Sequence, residues 1–511
     1  MAFIGTAIKT FIDLRHDLMG GLEDAGKLQR KELRKLLEKA RSTSFGIYYG
    51  FDQILDSDDP VKAFQQSIPV FEYAPMNERW WRQQRRLPNI TWPGRPNYYA
   101  LSSGTTSHRS KRIPVTDDML ESIRSVGINQ LETLANFNFD PEIFEKDILM
   151  LSSSAELQEH EGHLEGEISG INVRNFPSWT DAFYKPGQDI AKIADWDARV
   201  DKIADRAPDW DVAALAGIPS WILLMLKKVI ERHQLDTIHD IWPNLTVYAS
   251  GGVAFEPYRE SFNKLCEHPL IVMDTYLASE GFFAYNARPE TKAMRLALEN
   301  GLFFEFIPFD KRGFDAQGNL LEDPLCLSID EVEEGKEYAL LVSTVAGAWR
   351  YMIGDTVRFT DKDRWEILLT GRTKYFLNVV GSQLSEDKMN RAIQQLSDTI
   401  GVSINEFTVA ALQNEQEEYF HQWVLGGEDT FDEEKARDLL DDILRDINKA
   451  YDMARGKALR YVKVKSVPKQ SIYEWLEENK KKGGQVKLPK IMKPEQMQDL
   501  LEFLKARVDG R

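Results

Sequence analysis

Residues 101–114 read LSSGTTSHRSKRIP, where four hydroxyl side chains, Ser102, Ser103, Thr105 and Thr106, surround Gly104 and a basic cluster with Lys111 follows. Hydroxyls and backbone amides turned outward at a glycine donate to phosphate oxygens, and a lysine adds a point charge. The order G-x-x-x-x-G-K-S/T is missing, so this is no NTPase-type loop, and by itself such a cluster reads first as a solvated turn. In YASGGVAFEPYRESF, Gly251 and Gly252 end an apolar run and let a flat ligand approach the backbone. LIVMDTYLASEGFFAYN delivers Tyr276, Ser279 and Glu280 together. The tyrosine suits stacking on a purine and the glutamate suits Mg2+ beside phosphates, against the plainer alternative of a core tyrosine and a solvated glutamate. YMIGDTV sets Asp355 behind a glycine, a placement for chelating ribose hydroxyls or an ordinary turn. LLTGRTKYF carries Arg372 and Lys374, and KKGGQVKLPKIM is a basic glycine-bearing loop that either carries a mobile lysine or is a solvated face. His160, Glu161 and His163 in EHEGHLEGE lack the HExxH spacing of a zinc site and read as a solvated or pocket-rim loop. No Ser-His-Asp or Cys-His arrangement offers a side-chain nucleophile.

Groups so far apart in sequence meet only if strands deliver them to one edge of a sheet, where open α/β sheets bind their ligands. Between residues 140 and 360 short apolar runs alternate with helical stretches, which predicts a layered α/β architecture. DILMLSS, LTVYASGG, LIVMDTYLAS, GLFFEFIP and EYALLVST are the expected strands, and IPSWILLMLKKVIERHQ an apolar-faced helix with Pro219 in its first turn. Upstream, Leu33, Leu36, Leu37 and Ala40 keep helical spacing inside a charged segment. Trp80 and Trp81 lie among Arg82, Arg85 and Arg86, an interleaving that suits nucleic acid or a helix with its tryptophans buried and its arginines solvated. Past Gly371, EFTVAAL and EYFHQWVLGG read as strands and residues 432–454 as a long helix, with Thr430 and Glu433 as its capping box. A second, smaller α+β domain is therefore expected, with domains 1–371 and 372–511.

Composition narrows the partners. The 511 residues carry a formal charge of −17, which argues against broad binding to nucleic acid or anionic lipid and favours small-molecule chemistry. With 42% apolar and 28% charged residues the chain reads as globular. Two cysteines, Cys266 and Cys326, show no metal or disulfide spacing and point to a reducing compartment. The segment MAFIGTAIKTFIDLRHD reads as a helix without a cleavage site, and no apolar run approaches the roughly 18 residues of a membrane span. The expectation is a soluble cytoplasmic protein with neither nucleic acid nor membrane as partner.

Taken in order, these segments resemble the adenylate-forming superfamily of acyl-CoA synthetases, peptide-synthetase adenylation domains and luciferases. More closely, SSGTT, TYLASEGFF and WRYMIGDTV are similar to the auxin-responsive acyl acid amido synthetase family, in a bacterial-type member, with resemblance from about residue 65 to 492. The resemblance implies a large adenylate-forming α/β domain, a small mobile carboxyl-terminal domain, and ATP and Mg2+ as cofactors. By similarity, Ser102, Ser103, Gly104, Thr105 and Thr106 hold the ATP phosphates with Lys111 close by. Gly251, Gly252 and Val253 border adenine and Tyr276 stacks on it. Ser279 and Glu280 face the α-phosphate, Glu280 also binding Mg2+. Asp355 contacts ribose with Arg372 in support, Lys374 is the hinge, and Lys487 is the lysine that approaches the reacting carboxylate. The implied reaction adenylates a carboxylic acid, releases pyrophosphate and transfers the acyl group to an amino acid amine. Coenzyme A as acceptor, or nucleotide and acyl acid binding without turnover, are the alternatives. Ser107 and His108 depart from the family, which has glycine shortly after this loop, and Met352 stands where many members carry an arginine near the nucleotide.

Overall fold

The computed structural model describes residues 6, 7, 9, 10, 12–14, 24–102, 111–137, 139–177, 180, 182–252, 255–315, 319–373, 384, 386–415, 418–455, 459–478 and 488–509. Runs of β-branched and aromatic residues set its strands. The first six are β1 (Tyr98–Ser102), β2 (Lys111–Val115), β3 (Asp147–Leu151), β4 (Gln158–His160), β5 (His163–Gly166) and β6 (Tyr184–Lys185). There follow β7 (Val212–Gly217), β8 (Val247–Gly251), β9 (Ile271–Ala278), β10 (Gly281–Tyr285), β11 (Met294–Leu296) and β12 (Leu302–Pro308). The last are β13 (Glu337–Thr344), β14 (Ala348–Asp361), β15 (Glu366–Arg372), β16 (Ile404–Gln413), β17 (Tyr419–Gly427) and β18 (Leu459–Pro468). Each strand expected from the sequence is present.

An eleven-stranded sheet in the order β12-β13-β14-β15-β11-β10-β9-β8-β7-β3-β6 is the spine of the large domain. The strands β6, β3, β7, β8 and β9 run parallel, as alternating strand and helix require. From β10 to β15 the chain instead folds back antiparallel through short connections, so the layered βα pattern stops near residue 280 and the sheet is mixed. A four-stranded sheet, β2-β1-β5-β4, packs beside it. The helix Pro219–His233 has Pro219 at its first position and turns Ile222, Leu226 and Val229 into the core, as its spacing predicts. Trp80 and Trp81 are buried, and the Trp81 indole donates to the Gly347 carbonyl at 3.2 Å.

The helix Ala25–Ala40 lies along the outer side of the edge strand β12. Gln29 there acts as a strand would: its Oε1 accepts from Phe304 N at 2.7 Å and its Nε2 donates to the Leu298 and Leu302 carbonyls. Glu32 Oε1 accepts from Gly301 N at 2.7 Å, and Leu327 pairs with Phe306 further along the same edge. Behind the neighbouring strands, Arg350 and Glu305 form a buried ion pair at 3.0 Å.

The carboxyl-terminal part is α+β. Its three-stranded sheet, β16-β17-β18, is flanked by helices Glu386–Ile400, Glu433–Ile447, Lys469–Glu478 and Pro494–Asp509 and holds two apolar cores of its own. The long helix expected over residues 432–454 is broken at Asn448, which leaves helical geometry before Lys449–Arg455. Its cap is Asp432, whose carboxylate accepts from Glu434 N and Lys435 N, rather than Thr430. Glu433 turns away and accepts from Ser466 N on β18. Among the described residues no helix is long and apolar enough to cross a membrane.

Candidate active site

The β1–β2 pairing sets Ser102 directly across from Lys111, so the hairpin closes on the segment between them. Ser103, Gly104, Thr105 and Thr106, with Ser107 and His108, lie outside the described residues. The root of the hairpin is held by a triplet with a buried centre: Glu165 Oε1 on β5 accepts from Nε of the half-buried Arg112 at 2.7 Å and stands 2.8 Å from Nε2 of the buried His163. His163 thus packs into the fold against Tyr99, while His160 on the neighbouring strand is exposed. Among the described residues no three His, Cys, Asp or Glu side chains converge to hold a metal ion. Glu165 was not among the expected residues. Its signal in the sequence is its period-two spacing from His163, which puts both on one face of a strand.

Glu280 sits at the tip of the β9–β10 hairpin next to half-buried Ser279, and only 4% of it is exposed. Burial raises its carboxyl above the usual range; Lys111 and Arg372 pull it down and Asp355 pushes it up. Those four side chains, scattered over 262 residues from Lys111 to Arg372, therefore sense one another. The meeting of Asp355 and Arg372 is a matter of strand register, since the two are paired across β14 and β15. Arg372 Nε donates to Asp355 Oδ1 at 2.7 Å, and Tyr276 Oη donates to Asp355 Oδ2 at 2.6 Å. Gly354 supplies the bend ahead of Asp355 with φ of +98°, a value that disfavours any side chain. Tyr276 is buried, its ring centre 5.2 Å from that of Phe283 in an edge-to-face arrangement, and burial lifts its hydroxyl well above the ordinary phenol so that it stays a donor. Phe282 and Phe283 belong to the core.

At the carboxyl end of β8 a side chain on Gly251 would press against the Thr275 hydroxyl, its first carbon 2.7 Å from the oxygen, so glycine is what lets β8 and β9 close at this edge. Gly252 follows it, and Val253, Lys374 and Lys487 lie outside the described residues. Met352 faces away from this cluster, into a small apolar core with Ile307, Phe314 and Leu341. An arginine there would not lie beside the expected nucleotide.

Sequence reasoning missed Asp274. It is the partner of Ser250 across β8 and β9, one residue before the Gly251–Thr275 pair, and its mark in the sequence is an acid inside an otherwise apolar strand. Burial pushes its carboxyl up to about 6, against the pull of Lys292 and Arg259. The unfolded carboxyl titrates near 3.9, so Asp274 favours the fold fully only below about pH 4, and this contribution is lost as pH rises through about 6. In thermal melts from pH 4 to 7, stability relative to Asp274→Asn should fall across that window; parallel curves would show that the carboxyl is not so placed.

The chain matches the GH3 family N-terminal domain over residues 16–201, the GH3 family central domain over 295–364 and the GH3 family C-terminal domain over 387–496. Indole-3-acetic acid-amido synthetase GH3.2 of Arabidopsis thaliana is 28% identical over 209 residues, 38% of this chain and 37% of that protein. Jasmonoyl–L-amino acid synthetase JAR4 of Nicotiana attenuata is 22% identical over 398 residues, 66% and 67% of the two chains. Over the first curated relatives the match spans 37% and 39% of their length. In fold, the chain is similar to the AtGH3.15 acyl acid amido synthetase solved with 2,4-DB, with a TM-score of 0.77 at 18% identity over 99% of this chain and 96% of that one. A 2-hydroxyisobutyryl-CoA ligase in its postadenylation state gives 0.52 at 12% identity, over 98% and 92% of the two chains.

Proposed function

The chain belongs to the GH3 family, and from that premise we propose that it is an ATP-dependent acyl acid amido synthetase. The observation that carries the reading is Asp355 held between Tyr276 and Arg372, with buried Glu280 and the cation of Lys111 in electrostatic reach. A carboxylate oxygen of the acid attacks the α-phosphorus of ATP, the bond to the β-phosphate breaks, and pyrophosphate leaves. The amine of an amino acid then attacks the acyl carbon, AMP departs, and a proton is released. No side-chain nucleophile is consumed, in keeping with the lack of one in the sequence.

In this reading Ser102 and the SSGTT segment, with Lys111, bind the phosphates; Gly251, Gly252, Val253 and Tyr276 border adenine; Asp355 and Arg372 take the ribose. Ser279 and Glu280 face the α-phosphate. Glu280 fits as a ligand of Mg2+, being a desolvated carboxylate only partly offset by Lys111 and Arg372. The ion, when bound, offsets charge gathering on the phosphates. Lys374 serves as hinge between domains 1–371 and 372–511, and Lys487 approaches the reacting carboxylate. The bacterial-type assignment and cytoplasmic location rest on the sequence reading, and the curated relatives named above are plant proteins.

The test is a panel of carboxylic acids with MgATP, each assayed for pyrophosphate, with and without amino acids or coenzyme A. Acid-dependent pyrophosphate and amino acid-dependent AMP release are expected. Turnover with coenzyme A in place of an amine would make the chain an acyl-CoA ligase; ATP binding with no pyrophosphate from any acid would make it a binding protein.

A further inference from the structure

Glu406, near the start of β16, is 6% exposed and serves three parts of the molecule at once. Tyr258 Oη, from the large domain, donates to its Oε1 at 2.8 Å. Tyr473 Oη, on the helix Lys469–Glu478, donates to the same oxygen at 3.0 Å. Lys490 Nζ stands 3.7 Å from its Oε2. Tyr258 closes the short turn Glu256–Tyr258, which begins four residues beyond Gly252, so the contact falls beside the segment read above as the border of adenine. Lys490 follows Lys487 by three residues, and its segment is sewn to β16: Thr408 Oγ1 donates to the Pro489 carbonyl, Val409 N to the Lys490 carbonyl and Met492 N to the Val409 carbonyl. The Lys490 ammonium also lies 4.2 Å over the Phe407 ring.

A carboxylate taken out of water must be met by donors and by opposite charge. Two of the three partners of Glu406, Tyr473 and Lys490, belong to the small domain. Only Tyr258 belongs to the other side. Undocking therefore exposes a carboxylate that keeps its countercharge, and docking is sensitive to a single hydrogen bond to a charged acceptor, worth about tenfold in an equilibrium. The other polar contacts described between these two surfaces are weaker. Asn405 Nδ2 reaches Ser261 Oγ at 3.5 Å, and Lys227 and Glu428 are 4.0 Å apart with both side chains nearly half exposed.

We propose that Glu406 is a positioning residue: through Tyr258 it seats the small domain against the nucleotide-side turn, and through Lys490 it ties the segment 488–492 to that seating. Its contribution to catalysis rests on the proposed adenylation and acyl transfer; its contribution to docking does not. Loss of the contact releases this orientation and penalises the half-reaction it serves while sparing the other.

The test uses the full chain with Ser261→Cys, a position that is buried and faces Asn405 of the small domain. Labelling of the introduced thiol reports opening of the docked surface, and the native buried Cys266 reports opening of the large domain itself. Tyr258→Phe and Glu406→Ala should each speed labelling at position 261 threefold or more, toward tenfold, without changing that of Cys266. Glu406→Gln, which still accepts from both tyrosines, should stay within threefold of the parent. In the enzyme assay Tyr258→Phe should change the ratio of acid-dependent pyrophosphate release to amide formation by threefold or more. Labelling at 261 that rises less than threefold, or rises together with that of Cys266, overturns the docking role, and equal losses in both half-reactions overturn the catalytic one. Thiol labelling needs no substrate, so a chain that turned over no acid would refute the proposed activity and leave the docking result standing.

Discussion

Glu280→Gln is expected to lower acid-dependent pyrophosphate release by on the order of 10³-fold while leaving the protein folded and able to bind nucleotide. Glutamine keeps the volume and one acceptor oxygen but removes the negative charge at the tip of the β9–β10 hairpin. That charge sits in a dry environment which raises its carboxyl above the ordinary range, in spite of Lys111 and Arg372. A raised carboxyl stabilises the fold at acid pH, and that benefit is gone once pH exceeds its native value. At neutral pH the ionised form is therefore the strained one, and the glutamine variant should melt no lower than the parent. Loss of activity with undiminished melting temperature separates a functional carboxylate from a structural one. Activity within tenfold of the parent would remove Glu280 from the site.

The largest expected loss of stability lies elsewhere, at Glu305. Its carboxylate accepts from Arg350 Nε at 3.1 and 3.2 Å, and both side chains are buried, 1% and 5% exposed. Arg350 Nη2 also stands 3.0 Å from Glu305 Oε1, and Nη1 donates to the carbonyls of Gln65, at 2.7 Å, and Ile68, at 2.5 Å. Carbonyls satisfy geometry but not charge. Glu305→Ala strands a buried cation and should destabilise the large domain by about 3–5 kcal/mol, whereas joint replacement of Glu305 and Arg350 by apolar residues of similar volume should recover most of the loss. Urea unfolding followed by tryptophan fluorescence reads both. If the single variant loses less than about 1 kcal/mol, the pair is not desolvated as described. The effect should extend to the site, because Arg350 lies on β14 five residues before Asp355.

How these residues would be used was partly legible in the sequence. Strand-length apolar runs announced β3, β8, β9, β12 and β13, and the glycines after β8 and before Asp355 marked where backbone had to bend or approach. What a linear reading lacks is register. Nothing in YMIGD and LTGR says that Asp355 and Arg372 face each other, or that Tyr276, 79 residues away, supplies the second donor. Arg350 and Glu305 lie inside runs so apolar that each read as ordinary strand, and their pairing reaches across β13, which lies between β12 and β14, so that it belongs to the sheet rather than to either run. Asp274 and Glu406 each stand out as an acid in a strand, but their roles do not, for the same reason. A lone acid in a strand acquires meaning only from what crosses beside it. The cap of the long carboxyl-terminal helix was misread because Thr430 and Asp432 are both good caps, and the demand of Ser466 N for an acceptor drew Glu433 away.

The Gln29 and Glu32 contacts with β12 bear on how this protein avoids its own aggregation. LFFEFIP is a run of high β-propensity at the rim of an eleven-stranded sheet. Left bare, the Phe304 amide and the Leu302 carbonyl would offer a template to a strand from any neighbouring molecule. A helix normally covers a sheet with its apolar face. Here the helix Ala25–Ala40 also lends an amide side chain that imitates one residue of a missing twelfth strand. Its helical spacing in the sequence signals the packing, but not that Gln29 and Glu32 would cover one end of the sheet edge while Leu327 pairs with Phe306 at the other.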